Sequence, residues 1–582
     1  MAKMRKRMAA VSGAAALVLA LAACGGSDDS GGSSGGSESD GAASAKGGTL
    51  LYLQHFPFEA TDPQRIYYGV ELANFRRTLY RSLVAFPFNE DPDVANTPVP
   101  DLATDTGTAS DDGKSWSFTL KDGIKWEDGS DITCEDFKYG ASRAFADDIL
   151  TGGAGFYLKS YLDIPAGKYK GPYAGKGQDL FDKAVVCDGN TITYHFNKPW
   201  PDFPLSVASL MATDPYKESF DKGDKSKFTV LSNGPYKIEG NKWDVNKGAT
   251  LVRNDNYDEA TDTPDKLRMA LPDQINYELY TESEPIIDRL IADAGDDQNA
   301  VTPARIPPAY FTQVTPDMES RTVTVESPFT DYLVPNQQKM TDVKVRQALA
   351  AATDVPNYVK ALGGDKSAVA ADDIINPNLP GYAPQPAFAD GYQPDTAKSL
   401  LAEAGVSTPY EITYTYPQGD TADKAAAVLK QGWEAGGFKV NLDPLGDTYY
   451  DIINQPDKDS DVVWAGWGAD WPSAMTVLPP LFDSRANFAT DAKGNVTNLG
   501  QDYGYYQSDE FEKLIDEAAV APDIDAQNQL LMQADNVLSN DVAYIPTDTS
   551  VFYFIYGSGI TGFSTDASSS SYPELGPIGV TQ

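Results

Sequence analysis

The sequence predicts a mixed α/β protein built on more than one core. Three observations carry this. The chain has 582 residues, well above the ~100–200 residues of a single domain. Its composition is 41% hydrophobic and 11% aromatic, enough apolar surface to order most of it. Segments of two-residue and 3.6-residue hydrophobic periodicity are interleaved along it. In chain order, residues 49–54 (TLLYLQ) read as a strand. Residues 115–121 (SWSFTLK) put Trp116, Phe118 and Leu120 on one face, and residues 191–196 (TITYHF) alternate in the same way, so both read as half-buried strands. Helical spacing follows at Val345, Ala348, Leu349 and Ala352, then at Ala397, Leu400, Leu401 and Ala404, where Gly405 stops it, and again at Phe511, Leu514, Ile515 and Ala518. A helix-like stretch over 525–539 leads into a strand-like run over 551–556. That run predicts a return to a sheet begun earlier, with residues 49–54 as its natural partner and a discontinuous first domain as the result.

The N-terminus precedes any fold. Lys3, Arg5, Lys6 and Arg7 stand before an apolar run over 9–22, broken only by Ser12 and Gly13, which is the form of a secretory signal peptide. The run is shorter than the ~20 residues a spanning helix needs, so residues 1–23 are expected to be removed. It ends Leu21-Ala22-Ala23-Cys24, which resembles the lipobox of bacterial lipoproteins and implies diacylglycerol on Cys24. Residues 24–48 then read as the lipidated cysteine and a disordered Gly/Ser tether, about 25–30 Å in root-mean-square span. No later segment reads as a membrane span, so the Cys24 lipid is the only membrane contact expected.

Lys plus Arg number 46 against 84 Asp plus Glu, a net charge of −38. Loss of the four N-terminal cations takes the mature chain to −42. Such a chain repels nucleic-acid phosphates and anionic bilayers, which excludes nucleic-acid partners. Its acidity is read as solubility outside the cytoplasm. Cys134 and Cys187 remain after Cys24. In an exported protein this even pair predicts a disulfide, closing a loop of 52 intervening residues for ~4 kcal/mol on the chain-entropy treatment.

Catalytic constellations are scarce. There are two histidines, too few for His-based triads or zinc sites. His195 alternates with Tyr194 and Phe196 and reads as a sheet-surface residue. His55 follows a strand, beside Phe56, and reads equally as a loop residue or a ligand contact. G-x-S-x-G occurs at 31–35, inside the tether, where no strand-to-helix elbow forms. G-x-G-x-x-G occurs at 557–562, but serines and a proline follow where a phosphate-cradling helix should start. No P-loop and no H-E-x-x-H exist. No catalytic residue, cofactor or metal is expected.

The informative stretch is 461–481 (DVVWAGWGADWPSAMTVLPPL), with three of the eight tryptophans, Trp464, Trp467 and Trp471, around Gly466, Gly468 and Asp470. Two readings stand at the level of residues. Either the indoles line a cleft and Asp470 holds a ligand cation, or the indoles are core and Asp470 caps a turn.

Several blocks then carry a family resemblance: 79–83 (LYRSL), 101–103 (DLA), 111–118 (DDGKSWSF), 121–126 (KDGIKW), 233–236 (NGPY), 253–257 (RNDNY), 343–354 (VKVRQALAAATD), 395–405, 466–471 and 544–546 (YIP). In this order, over about 46–582, they resemble the family 5 extracellular solute-binding proteins of ABC importers, which include oligopeptide- and dipeptide-binding lipoproteins. The resemblance implies an α/β, two-lobed periplasmic-binding-protein-like fold (type II, cluster C) with an extra subdomain. Lobe I would take 46–88, 228–325 and 540–582, the subdomain 89–227 and lobe II 326–539. Cys134 and Cys187 fall in one unit on this division, which supports their pairing. In peptide-binding members a Gly-Trp-x-x-Asp block lines the cleft, its glycine backbone pairing with an extended peptide and its aspartate taking the amino terminus. Gly466, Trp467 and Asp470 match it. Trp471 stands where Tyr is common and Trp464 where some receptors carry a basic residue, which turns expectation toward longer peptides or a sugar chain on indole faces. The resulting expectation is a monomeric, non-enzymatic, lipid-anchored receptor on the outer face of the membrane, passing oligopeptides to an ABC permease and its ATPase. An oligosaccharide receptor and a surface hydrolase are the rivals.

Overall fold

The computed structural model describes residues 46–89, 91–150, 152–262, 267–491, 493–566 and 569–581. The expected signal peptide, Cys24 and nearly all of the expected tether lie outside the described residues.

Three larger sheets organise the chain. The first has five strands in the order Ala300–Val301, Thr49–Gln54, Gln274–Leu279, Thr250–Arg253, Tyr236–Ile238. Thr49–Gln54 is its parallel centre, paired with Gln274–Leu279 and Ala300–Val301. The run TLLYLQ is apolar at consecutive positions because it is covered on both faces. Leu50 and Tyr52 enter one core with Phe58, Phe75 and Trp243, and Leu51 and Leu53 enter another with Ile286, Ile287 and Leu290 of helix Glu284–Ala292.

The second sheet has six strands, ordered Ala368–Ala370, Ile545–Ile555, Thr322–Pro335, Val462–Gly468, Tyr410–Pro417, Phe438–Leu445. Helices Val343–Ala351, Pro394–Glu403 and Asp420–Ala435 pack on one face, Asp509–Ala519 and Ile524–Asn540 on the other. All three helical patterns read from the sequence are therefore helices.

A four-stranded antiparallel sheet, Thr108–Ala109, Ser115–Thr119, Thr191–His195, Val185–Asp188, surrounds a third core containing Trp126, Trp200 and Phe203. Cys187 in this sheet is disulfide-bonded to Cys134, the first residue of helix Cys134–Arg143. His195 lies in its strand between buried Tyr194 and Phe196, as the alternation requires.

One expectation is corrected. The C-terminal strand Ile545–Ile555 does not pair with Thr49–Gln54; its partners are Thr322–Pro335 and Ala368–Ala370 in the second sheet. The residues beyond it do return to the first core, through Ile560, Leu575, Ile578 and Val580. Tyr553 and Ile555 also pack against Leu51 and Leu53. The apolar attraction was legible, but the pairing was set by the length of Thr322–Pro335, whose 14 residues offer the longer antiparallel template. Its register shifts between Glu326 and Thr330, a bulge that contains Pro328, which has no N–H to give a ladder. The 557–562 glycine motif opens no helix; Gly557 is instead wedged against the Asp297 and Gln298 carbonyls, where a Cβ would come within 2.3 Å.

Candidate functional site

The strand Val462–Gly468 has two unlike edges. One pairs antiparallel with Thr322–Pro335 over its whole length, from Val462 opposite Pro335 to Gly468 opposite Phe329. The other pairs with Tyr410–Pro417 only at Val462 and Val463. The Trp464 carbonyl accepts the Tyr449 hydroxyl. From Ala465 to Gly468 the second edge has no strand partner among the described residues, and an extended chain laid there would find backbone groups ready to pair.

The glycines on this edge are explained by what lies over them. A Cβ on Gly466 would sit 2.4 Å from Asp331 Oδ1, and one on Gly468 would sit 2.6 Å from the Phe329 ring. Asp331 also faces Asp548 across the neighbouring pair. Burial first, then the opposing Asp548, pushes Asp331 well above the usual carboxylate range, while burial raises Asp548 to about 7.

Just beyond the strand, Asp470 is fixed by distant parts of the chain. Its Oδ1 accepts the Tyr67 hydroxyl at 2.8 Å and its Oδ2 accepts the Tyr157 hydroxyl. Its N–H donates to Thr476 Oγ1 at 3.1 Å, and its carbonyl accepts the Ser209 hydroxyl. Burial raises the carboxyl to about 6, against the two phenols, which favour the charged form. No cation is paired with it among the described residues.

The three tryptophans do not form a row of open faces. Trp471 is 3% exposed, donates Nε1–H to an Asp202 carboxylate oxygen at 2.5 Å and packs in the third core beside Tyr157, at 4.5 Å between ring centroids. This corrects its expected role as a ligand contact: it anchors the loop. Trp467 donates to the Thr476 carbonyl at 2.8 Å, and Trp464 lies between the two cores of the second sheet. Both remain partly exposed. His55 sits at the end of Thr49–Gln54 with its ring edge-on to Phe56 at 4.5 Å, and Phe56 packs on the first core. Burial, then the nearby Arg305 charge, lowers the His55 pKa, and its Nδ1 has no partner. The structure brings Gly466, Trp467 and Asp470 together and leaves His55 and Phe56 on the first sheet.

Sequence reasoning missed Tyr67, Tyr157, Ser209, Asp202 and Asp331. The contacts of the first four with this loop cross 261 to 403 residues of chain. The one local sign was the Tyr67-Tyr68 pair just before helix Gly69–Thr78. Among the described residues, no group of three or more His, Cys, Asp or Glu side chains is placed to hold a metal ion, and no helix is long and apolar enough to cross a membrane.

Comparison with known proteins bears on this arrangement. Residues 97–489 match the family described as bacterial extracellular solute-binding proteins, family 5 Middle. The periplasmic oligopeptide-binding protein OppA of Salmonella typhimurium is 26% identical over 527 residues, covering 85% of each chain. The dipeptide-binding protein of Escherichia coli is 24% identical over 541 residues, covering 88% of this chain and 91% of its own. Among solved structures, the clavulanic acid biosynthesis oligopeptide binding protein 2 superposes with a TM-score of 0.82 at 24% identity, over 92% of this chain and 96% of its own. The fold is accordingly the two-lobed type II periplasmic binding-protein fold. With two-thirds of its length matched, the chain belongs to the family 5 extracellular solute-binding proteins of ABC importers, which are substrate-binding receptors and not enzymes.

Proposed function

We propose that this receptor binds oligopeptides by adding them as an extra strand to the open edge at Ala465–Gly468, with Asp470 taking the ligand's amino terminus, and delivers them to an ABC permease. The observation that carries this is the open edge ending beside a half-buried carboxylate held only by neutral donors. Strand addition supplies affinity through main-chain hydrogen bonds and leaves side-chain preference to the surrounding pockets. An ammonium arriving at Asp470 meets a charge-assisted partner, worth about 1.5–3 kcal/mol. The names of the OppA and dipeptide-binding relatives support a peptide ligand. The burial of Trp471 weighs against a sugar chain stacked along three indoles.

The same proposal divides the chain into lobe I (46–88, 228–325 and the end of the chain from about 557), a subdomain (89–227) and lobe II (326 to about 556), with the last boundary moved to follow the pairing of Ile545–Ile555. It places the protein as a monomer on the outer face of the membrane, held by a lipid on Cys24. Native mass spectrometry of protein purified without denaturation, followed by calorimetric titration with tetra-alanine, tests the ligand. Retained or titrated peptide is the expected result; a retained glycan with no peptide binding overturns it. Cys24→Ser should move the protein from the membrane to the soluble fraction of fractionated cells, and unchanged membrane association refutes the anchor.

A further inference from the structure

A cavity of about 420 Å³ opens beside the second sheet, and no residue of 461–481 lines it. Its walls come from the end of helix Val343–Ala351, the start of helix Val355–Leu362, one side of helix Pro394–Glu403, the end of strand Ala368–Ala370 and the start of strand Ile545–Ile555. Within the sheet, Thr322–Pro335 stands between Ile545–Ile555 and Val462–Gly468, so the cavity and the open edge belong to different sides of that strand. The volume lies within the range of about 300–1,000 Å³ that small-molecule sites occupy.

The space exists because small side chains stand where larger ones would close it: Ala350, Ala351 and Ala371 line the chamber. The backbone around them is held in place. The Gln393 N–H donates to the Ala351 carbonyl at 2.6 Å, and the Ala371 N–H donates to the Thr547 carbonyl at 3.2 Å. Thr353 Oγ1, also in the lining, accepts the buried Trp433 indole N–H at 2.9 Å. A chamber framed by such bonds is formed before a ligand arrives, so little ordering opposes binding.

Its chemistry is one-sided. The lining is largely apolar and adds two aromatic side chains, Phe388 and Tyr392, and one carboxylate, Asp390. Among the described residues, no lysine, arginine or histidine lines it. The Asp390 side chain is exposed and has no hydrogen bond or ion pair among the described residues. Nearby Asp395, by contrast, is paired with Lys398 at 2.9 Å. An apolar chamber with an uncommitted anion, two rings and no cation favours an organic ammonium and repels a carboxylate.

We propose that this cavity is a small-molecule site, separate from the strand edge, that takes a compact organic amine. The hydrocarbon body fills the chamber among Ala350, Ala351 and Ala371, and the ammonium pairs with Asp390. The proposal stands independently of the peptide reading. Ligand-observed NMR titration of the purified protein would use 2-phenylethylamine, with 2-phenylethanol and phenylacetate as neutral and anionic counterparts. The amine should bind saturably and about fivefold more tightly than the alcohol, and phenylacetate should not bind. Ala351→Phe, which fills the chamber, should abolish binding of amine and alcohol alike. Asp390→Asn should bring the amine down to the affinity of the alcohol and leave the melting temperature unchanged, since no protein hydrogen bond is lost. Asp470→Asn should leave amine binding as it is, which separates this cavity from the strand end. Should Ala351→Phe unfold the protein, the exposed Asp390→Asn variant decides the question. Absence of saturable amine binding, equal affinity for the three compounds, or amine binding unchanged by Asp390→Asn overturns the proposal. So does amine binding that survives in folded Ala351→Phe, or that is lost only in Asp470→Asn.

Discussion

Asp470 shows what one half-buried side chain can couple. Its carboxyl titrates at about 6 in the fold against an ordinary 3.8, so the folded state binds this proton more tightly than the unfolded chain. The stabilising contribution of the protonated form is complete below about 3.8 and is lost as pH rises through about 6. Asp470→Asn should accordingly raise the melting temperature at pH 7.5 and leave it nearly unchanged at pH 4, read by differential scanning calorimetry. Peptide affinity should move the other way: it should weaken in the wild type as pH drops from 7 to 5, because a protonated acid cannot pair with an ammonium, and the asparagine variant should lack that dependence. A wild-type affinity flat across this range rules out Asp470 as the amine site. Gly466 makes a second test at this scale. Adding one methyl brings a carbon within 2.4 Å of Asp331 Oδ1, and the backbone has no slack because Gly466 is paired opposite Asp331 in the ladder. Gly466→Ala should cost about 1–3 kcal/mol, as overpacking does, seen as a lower urea midpoint; a wild-type midpoint would show that Asp331 can move aside freely.

At the scale of elements, local patterns decided element type and distant ones decided neighbours. The Val345, Ala397 and Phe511 periodicities became helices, and the alternating runs at 115 and 191 became paired strands, Ser115 opposite His195. Such patterns need only a buried face, whichever element supplies it. The 551–556 run was read correctly as a strand and assigned to the wrong sheet, because β pairing depends on register and length that lie hundreds of residues away. The Cys134–Cys187 bridge joins a helix start to a strand within the four-stranded sheet. Replacing both cysteines with serine should lower stability by about 2–5 kcal/mol and shift the denaturation midpoint of the exported protein; an unshifted midpoint would mean that the rest of this core suffices. Trp471 illustrates how a core recruits a residue from another sheet's loop: a residue next to the second sheet is buried in the core of the third, which fixes where Asp470 points.

Across the whole molecule, the first sheet and the four-stranded unit are joined by buried ion pairs. Arg268 and Arg81 both bind Asp101, Arg76 binds Asp214, and Arg143 binds Asp62. Burial alone would raise Asp101, but the two guanidiniums outweigh it and hold it below the usual carboxylate range. Its stabilising contribution is therefore present above about 3.8 and lost as pH falls toward its lower folded value. Arg268→Ala removes one partner of a buried charge and should cost about 3–5 kcal/mol. Loss of far-UV circular dichroism and of tryptophan fluorescence should shift together, because the network ties the two cores; separated transitions would show that they unfold independently. The sequence by itself determined the class of the protein, the type of its long elements, the even cysteine pair, and the Gly-Trp-x-x-Asp block that marks the strand end. Each is written in adjacent residues or in a short period. Only the tertiary structure decided which indoles stay partly exposed, that Tyr67 and Tyr157 hold Asp470, and that one edge of Val462–Gly468 is open. The physical reason is that burial and hydrogen bonding belong to pairs of residues, and the pairs that make this site are separated by hundreds of positions along the chain.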